Sequence, residues 1–250
     1  MNDHTVFLTG ASSGIGEACA HAFASAGARV ILAARRTERL ADLARGLGDR
    51  ALVLPLDVQD RAAVLHAAAT LPEPFAAVSI LINNAGLALG LNAIDAIDLD
   101  DAETMIDTNL KGMVTCSRAL LPGMIARGRG HIINMGSVAG TYPYPGGNVY
   151  AGTKAFVHQF SLALRADLLG KGVRVTSIEP GMVETEFSKV RFKGDDERAA
   201  QVYQNTEVLT ARDVAETILW CASLPPRVNI NLVELMSQNQ SFGPFAVRRS

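Results

Sequence analysis

The chain has 250 residues, nearly half of them apolar, enough for one large α/β core or two small ones. A formal net charge of −2 offers no basic surface for nucleic acid or anionic lipid, and no apolar run reaches the ~20 residues that cross a bilayer. Cys19, Cys116 and Cys221 are far apart in apolar helical patterns and read as buried thiols, so neither a disulfide framework nor a metal site is expected.

The stretch MNDHTVFLTG enters a strand directly, without the basic-then-apolar layout of a secretory signal, and a cytoplasmic location is the expectation. Thr5 to Thr9 is that strand. Gly10, Gly14 and Gly16 follow in TGASSGIG, and a helical pattern runs from Ile15 to Ala26. A glycine-rich turn between strand and helix lets the backbone approach a pyrophosphate, whose charge then sits on the helix N-terminus. The spacing is GxxxGxG, which on its own also fits a plain tight turn. The second strand, Ala28 to Ala34, ends in Arg35-Arg36, with no acid to accept a bond from a ribose hydroxyl. A guanidinium fork suits a phosphate, so the pair points to the 2′-phosphate of NADP; the plain alternative is the start of a solvated helix.

Ala51 to Leu56 is a third strand, with Asp57 and Val58 at the end that lines the crevice in doubly wound sheets. Asp57 can accept from an adenine amino group or cap the following helix. Val78 to Ile82 is the fourth strand, and the Asn83-Asn84-Ala85-Gly86 that follows suggests a tight turn close to a ligand. The helical pattern from Ala102 to Arg127 carries Asn109 in its interior, where a local kink is expected because its amide competes for backbone bonds.

His131 to Met135 is the fifth strand and leads to Ser137; a loop from Thr141 to Asn148 then precedes a helix holding Tyr150 and Lys154, one turn apart. A tyrosine beside a lysine ammonium becomes a usable proton shuttle because the cation favours the phenolate. A serine opposite can hold the substrate oxygen, and the set suits interconversion of a carbonyl and an alcohol. That helix is apolar on more than one face, which predicts burial on several sides. Val173 to Ile178 is the sixth strand, Glu184 to Glu207 a polar, mobile cover, Asp213 to Ser223 a helix, and Val228 to Leu235 a last strand; Met236 to Ser250 has no period. Regular alternation of strand and helix, without linker or repeat, predicts a single α/β domain over residues 1–250: a doubly wound parallel sheet of about seven strands covered on both faces.

TGASSGIG, NNAG, Asn109, Ser137, YAGTK and PGMVET, in this order and spacing, resemble the short-chain dehydrogenase/reductase family over essentially the whole chain. The resemblance implies a Rossmann fold and a tetrad of Asn109, Ser137, Tyr150 and Lys154. In it Tyr150 is the acid/base, Lys154 tunes it and binds the nicotinamide ribose, Ser137 orients the substrate, and Asn109 holds a water that relays protons to Lys154. It further implies that NADP(H) is held by Gly10, Ser12, Ser13, Gly14, Ile15 and Gly16, by Asn84, and by the Pro180 to Thr185 segment with Pro180, Gly181, Val183 and Thr185. A homotetramer joined through Ala102–Arg127 and Tyr150–Leu169 is implied as well.

LINNAGLALG, DAETMIDTNLKG, GGNVYAGTKAFVHQF and LPPRVNINLVELM resemble, more narrowly, the bacterial NADP-dependent 3-hydroxy acid dehydrogenases, also described as serine or allo-threonine dehydrogenases and malonic semialdehyde reductases. Sulfoacetaldehyde reductases, which form isethionate, share most of these stretches. The expected substrate is therefore a small anionic hydroxy acid or its aldehyde. The cover supports a charged substrate, with Lys189, Arg191 and Lys193 close together, although the neighbouring Asp195, Asp196 and Glu197 can balance them. Arg191 is the first candidate for the substrate's anion, Asn148 the second, and the tail from Met236 the third. A non-catalytic NADP-binding regulator on the same fold is the remaining alternative, and it has no need of Tyr150 and Lys154 together.

Overall fold

The computed structural model describes residues 1–243. Strands β1 (Thr5–Thr9), β2 (Arg29–Ala34) and β3 (Ala51–Pro55) alternate with helices α1 (Gly14–Ser25), α2 (Thr37–Leu47) and α3 (Arg61–Ala69). Then come β4 (Ile80–Asn83), α4 (Leu99–Ile106), α5 (Met113–Ala126), β5 (Gly130–Met135), α6 (Asn148–Asp167) and β6 (Val173–Pro180). The last third holds β7 (Val183–Glu184), α7 (Phe187–Arg191), α8 (Asp196–Gln201), β8 (Leu209–Thr210), α9 (Ala211–Ser223) and β9 (Leu232–Leu235). The main sheet has seven strands in the order β3-β2-β1-β4-β5-β6-β9, every pair parallel, as the alternating pattern predicts.

Two apolar layers hold the sheet, and strand periodicity assigns each side chain to one of them. In β1, Val6 and Leu8 point to a layer built with Cys19 and Phe23 of α1, Leu40 of α2, and Val214 and Ile218 of α9. Phe7 points the other way, onto Val64 of α3, Cys116 and Leu120 of α5, and Leu164 of α6. Each such fully buried side chain contributes roughly 1.5–3 kcal/mol of transfer free energy. The three cysteines are buried free thiols, as read from the sequence.

The strand order reverses between β1 and β4. The chain moves outward from β1 to β3 and then crosses back, so the loops after β1 and β4 diverge and leave a crevice at the carboxyl ends of the strands. The expected kink at Asn109 takes a definite form: Asp107–Gly112 is a π-helical segment joining α4 to α5, a widening of the helix that turns Asn109 inward, where it is buried.

Two expectations need correction. The last strand begins at Leu232, not Val228. Asn229 ahead of it satisfies β6 with its side chain, its Oδ1 accepting from Val175 N (2.8 Å) and its Nδ2 donating to Val175 O (2.9 Å), in place of a backbone ladder. Asp57 does not cap α3. Asp60 does so, its carboxylate accepting from Ala63 N at 2.9 Å, while Asp57 accepts from Gln59 N at the strand end.

Candidate active site

A cleft of about 480 Å³ opens where the strand order reverses, within the usual range for small-molecule sites. Of the residues expected to hold the cofactor, Gly10, Ser12, Ser13, Gly14, Ile15, Arg35, Arg36, Asp57, Val58, Asn84, Tyr150, Lys154, Pro180, Gly181, Val183 and Thr185 line it. Gly16 does not. A Cβ there would collide with the Gly10 carbonyl oxygen, so the fold of the turn requires glycine at this position. Gly10 adopts φ 65°, and a Cβ on it would come within 2.9 Å of the Ala85 Cα, so the β1 and β4 loops touch.

Thr9 and Asn84 fix that contact. Thr9 Oγ1 accepts from the backbone N–H groups of Asn84 and Ala85 (both 3.0 Å), and Asn84 Nδ2 donates to the carbonyls of Thr9 (3.0 Å) and Gly10 (3.1 Å). The amide turn after β4 is thus a backbone brace, as its composition suggests, and it also lines the cleft. Asn83 works behind it, donating to Asn134 Oδ1 (2.8 Å) and Ser117 Oγ (3.0 Å) in the buried core.

The α1 N-terminus faces the cleft with its cap residue, Ser13, making no side-chain bond to the helix backbone, so its first N–H groups remain free for an anion. Beside it, Arg36 donates from Nε to Ser12 Oγ (3.1 Å) and from Nη2 to Ser13 Oγ (2.5 Å). These hydroxyls and the guanidinium form an anion position at the end of β2. Arg35 lines the cleft nearby and makes no side-chain hydrogen bond among the described residues. Backbone N–H groups at a helix end, a guanidinium and a carboxylate at the β3 end match the pyrophosphate, 2′-phosphate and adenine of NADP(H), so the residues present fit that cofactor.

At the other end of the cleft Ser137, Tyr150 and Lys154 converge. Ser137 Oγ accepts from Ala139 N (3.2 Å) and lies 3.4 Å from the Pro180 carbonyl. Lys154 Nζ is buried and donates to the Met135 carbonyl at 2.7 Å, 5.7 Å from the Tyr150 ring centre. Burial lowers the Lys154 ammonium to about 8, against the pull of the Glu179 carboxylate. Burial also raises the Tyr150 phenol to about 12, opposed by the Ser137 hydroxyl and the Arg191 guanidinium. The expected depression of the Tyr150 pKa by Lys154 is therefore not seen: the ammonium is turned onto Met135, and Arg191 is the cation opposing burial at the ring. Asn109 is spent on the backbone, exchanging two bonds with Leu87 (both 2.9 Å), and its Nδ2 also reaches Thr153 Oγ1 (3.1 Å).

The cover over residues 184–207 is more structured and less polar than its composition suggests. It contains α7 and α8, β7 pairs with β8, and Phe187 and Val190 face the cleft. Phe187 packs on Tyr150 with ring centres 5.7 Å apart. Arg191 stands over the same ring at 5.2 Å, and its Nη2 donates to Tyr144 Oη at 2.7 Å. Its Nε is buried without a hydrogen-bond partner among the described residues. Asn148 is less available for an anion, because its Nδ2 donates to the Asn92 carbonyl at 2.9 Å. In the tail, Gln240 Oε1 accepts from Met182 N at 2.7 Å beside Gly181; residues 244–250 of that tail lie outside the described residues.

Thr9, Tyr144, Glu186, Phe187 and Gln240 are site residues that sequence reading misses. Only Thr9, adjoining the glycine turn, and Phe187, an aromatic in a polar cover, carried any signal. Among the described residues no helix is long and apolar enough to cross a membrane, and no group of acidic, histidine or cysteine side chains is placed to hold a metal ion.

Comparison with known proteins agrees with this geometry. The NADP-dependent 3-hydroxy acid dehydrogenase YdfG of Salmonella typhi is 54% identical over 246 residues, covering 98% of this chain and 99% of that protein. The serine 3-dehydrogenase of Agrobacterium fabrum is 50% identical over 245 residues, covering 98% of each. Among solved structures, the closed form of serine dehydrogenase complexed with NADP+ superposes with a TM-score of 0.97 at 53% identity, covering 98% of this chain and all of that one. The model of the short chain dehydrogenase family matches residues 4–196, and the chain belongs to that family.

Proposed function

We propose that this chain is an NADP(H)-dependent oxidoreductase that interconverts a small anionic 3-hydroxy acid and its semialdehyde; relatives 50–54% identical to it are named NADP-dependent 3-hydroxy acid dehydrogenase and serine 3-dehydrogenase. The observation that carries the reading is the Arg191 guanidinium, 5.2 Å from the Tyr150 ring centre and holding a buried, unpartnered Nε. An unpaired buried donor is costly, and an anionic substrate reaching Tyr150 would satisfy it.

Bound in the cleft, the cofactor supplies or accepts the hydride. Ser137 Oγ holds the substrate oxygen, and Tyr150 Oη gives that oxygen its proton in reduction or takes it in oxidation. Lys154, buried and anchored on Met135, holds the nicotinamide ribose. Asn109 fixes the Leu87 backbone and keeps the π-helical turn in place behind Lys154, where the family's water relay would run. Burial raises the Tyr150 phenol, so the proton needed for the reductive step is in place at neutral pH. The region 184–207 covers the reacting centre and brings Arg191 to the substrate. A regulator without catalysis would not require this convergence of Ser137, Tyr150 and Lys154.

The test compares NADPH oxidation with malonic semialdehyde, sulfoacetaldehyde and a neutral aldehyde of similar size, alongside NADP+ reduction with serine and 3-hydroxypropionate. Activity confined to neutral aldehydes would refute the anionic substrate. A preference for sulfoacetaldehyde would move the assignment to the sulfonate, which the Arg191 fork also accommodates. Arg191→Ala is expected to raise KM for the anionic aldehyde more than tenfold, about 1.4 kcal/mol, and to leave KM for the neutral one nearly unchanged. Equal effects on both would show that Arg191 only shapes the cover.

A tetramer assembled through α4–α5 and α6 is the expected solution state. Ile106 and Val114 on one side, and Phe156 and Leu162 on the other, are large apolar side chains left exposed, and Phe156 stacks on Phe160 at 5.7 Å. Clustered apolar area of this kind marks a contact surface. Light scattering at micromolar concentration checks it, and a monomer would refute it.

A further inference from the structure

Glu186 stands just ahead of α7 in the cover, and its carboxylate crosses to the far end of the cleft. It accepts from Arg36 Nη1 at 2.9 Å and from Arg39 Nη1 at 2.7 and 2.9 Å, so two guanidiniums of the β2–α2 segment clamp one carboxylate of the cover. Those bonds hold the Glu186 carboxyl below the usual carboxylate range, and it stays charged at neutral pH. The same Arg36 turns Nε and Nη2 toward Ser12 and Ser13, which line the cleft.

The charges leave room for a second anion. Arg35, Arg36 and Arg39 carry three positive charges against the two negative charges of Glu186 and Glu38, and the positive surplus favours a further anion such as a phosphate monoester. The two anions would also use different edges of Arg36, with Glu186 on Nη1 and the phosphate among the serine hydroxyls beside Nε and Nη2. From Glu186 the chain runs directly into α7, whose last residue is Arg191 over the Tyr150 ring. A helix of five residues is a stiff spacer of roughly 7.5 Å, so whatever fixes Glu186 also fixes Arg191.

We infer that Glu186 is a positioning residue that latches the cover to Arg36 and Arg39, so that a 2′-phosphate bound at Arg36 steadies the closed cover and holds Arg191 over the reacting centre. The inference rests on the NADP(H) reading above and deepens it. The 2′-phosphate would do more than select the cofactor: it would prepare the substrate's anion site at the opposite end of the cleft. An exposed ion pair alone is worth little, and immobilising Arg36 by a second anion strengthens it by lowering the entropy cost of the first.

Limited trypsin digestion of the full-length protein tests this with two fragments that lack nicotinamide and differ only in the 2′-phosphate, 2′,5′-ADP and 5′-AMP. The cover offers cleavage sites at Lys189, Arg191, Lys193 and Arg198. At saturation, 2′,5′-ADP is expected to lengthen the half-life of the cover about threefold more than 5′-AMP, the size of one exposed ion pair. In Glu186→Ala the two fragments should protect equally, although 2′,5′-ADP still binds more tightly than 5′-AMP by calorimetry. Equal protection in the wild type, a difference that survives in Glu186→Ala, or faster cleavage with 2′,5′-ADP would each overturn the latch. If the wild-type protein bound both fragments equally well, the NADP(H) reading itself would fail, and calorimetry distinguishes that outcome from failure of the latch alone.

Discussion

Tyr150→Phe is expected to lower turnover by about 10²–10⁴-fold while NADPH binding, followed by fluorescence titration, changes little. The substitution removes one hydroxyl and leaves the ring, so packing against Phe187 at 5.7 Å and the Arg191 guanidinium at 5.2 Å persists. The loss would then belong to proton transfer, appearing equally in kcat and kcat/KM as an interaction made only in the transition state. The direction of the pH profile is a second check. With the phenol raised to about 12 by burial, the protonated acid needed for reduction is present throughout the neutral range, so the reductive rate should be flat there. The oxidative rate needs the phenolate and should rise with pH. A Tyr150→Phe enzyme retaining more than about a tenth of the wild-type rate would remove Tyr150 from the acid/base role.

What the sequence made legible follows from how locally each feature is encoded. The strands and the glycine turn are written in consecutive residues, and the pairing of Tyr150 with Lys154 needs only one helical turn. The bonds that complete the site run between distant parts of the chain. Asn84 meets Thr9 across 75 residues, Arg191 meets Tyr144 across 47, and Arg36 meets Glu186 across 150. No periodicity or motif predicts such pairs, because each depends on which loops the strand order brings together. The same reason explains why burial, and not Lys154, dominates the Tyr150 phenol here. Spacing places Lys154 on the same helix face, but the orientation of Nζ is decided by the Met135 carbonyl at the end of β5, a tertiary neighbour. Asp57 and Asp60 show the limit within a single turn: both are acids ahead of α3, and only the backbone path decides which one caps it.

Arg36→Ala is expected to weaken NADPH by on the order of 10- to 100-fold, with a much smaller effect on NADH, and combining it with Arg35→Ala should widen the difference. Each charge-assisted bond to a phosphate contributes roughly 1.5–3 kcal/mol, and only NADPH carries the group that would receive it. The two arginines are not equivalent. Arg36 is pre-oriented by Ser12, Ser13 and Glu186, so it spends little conformational entropy when a phosphate arrives. Arg35 makes no side-chain hydrogen bond among the described residues and must be ordered on binding, which leaves it the weaker contributor. Replacing Arg36 by Lys should restore only part of the affinity, because a point charge cannot bridge the serine hydroxyls and the phosphate as a planar fork does. Dissociation constants for both cofactors by calorimetry decide the matter: equal weakening of NADPH and NADH by Arg36→Ala would mean that this guanidinium merely joins α2 to the cover.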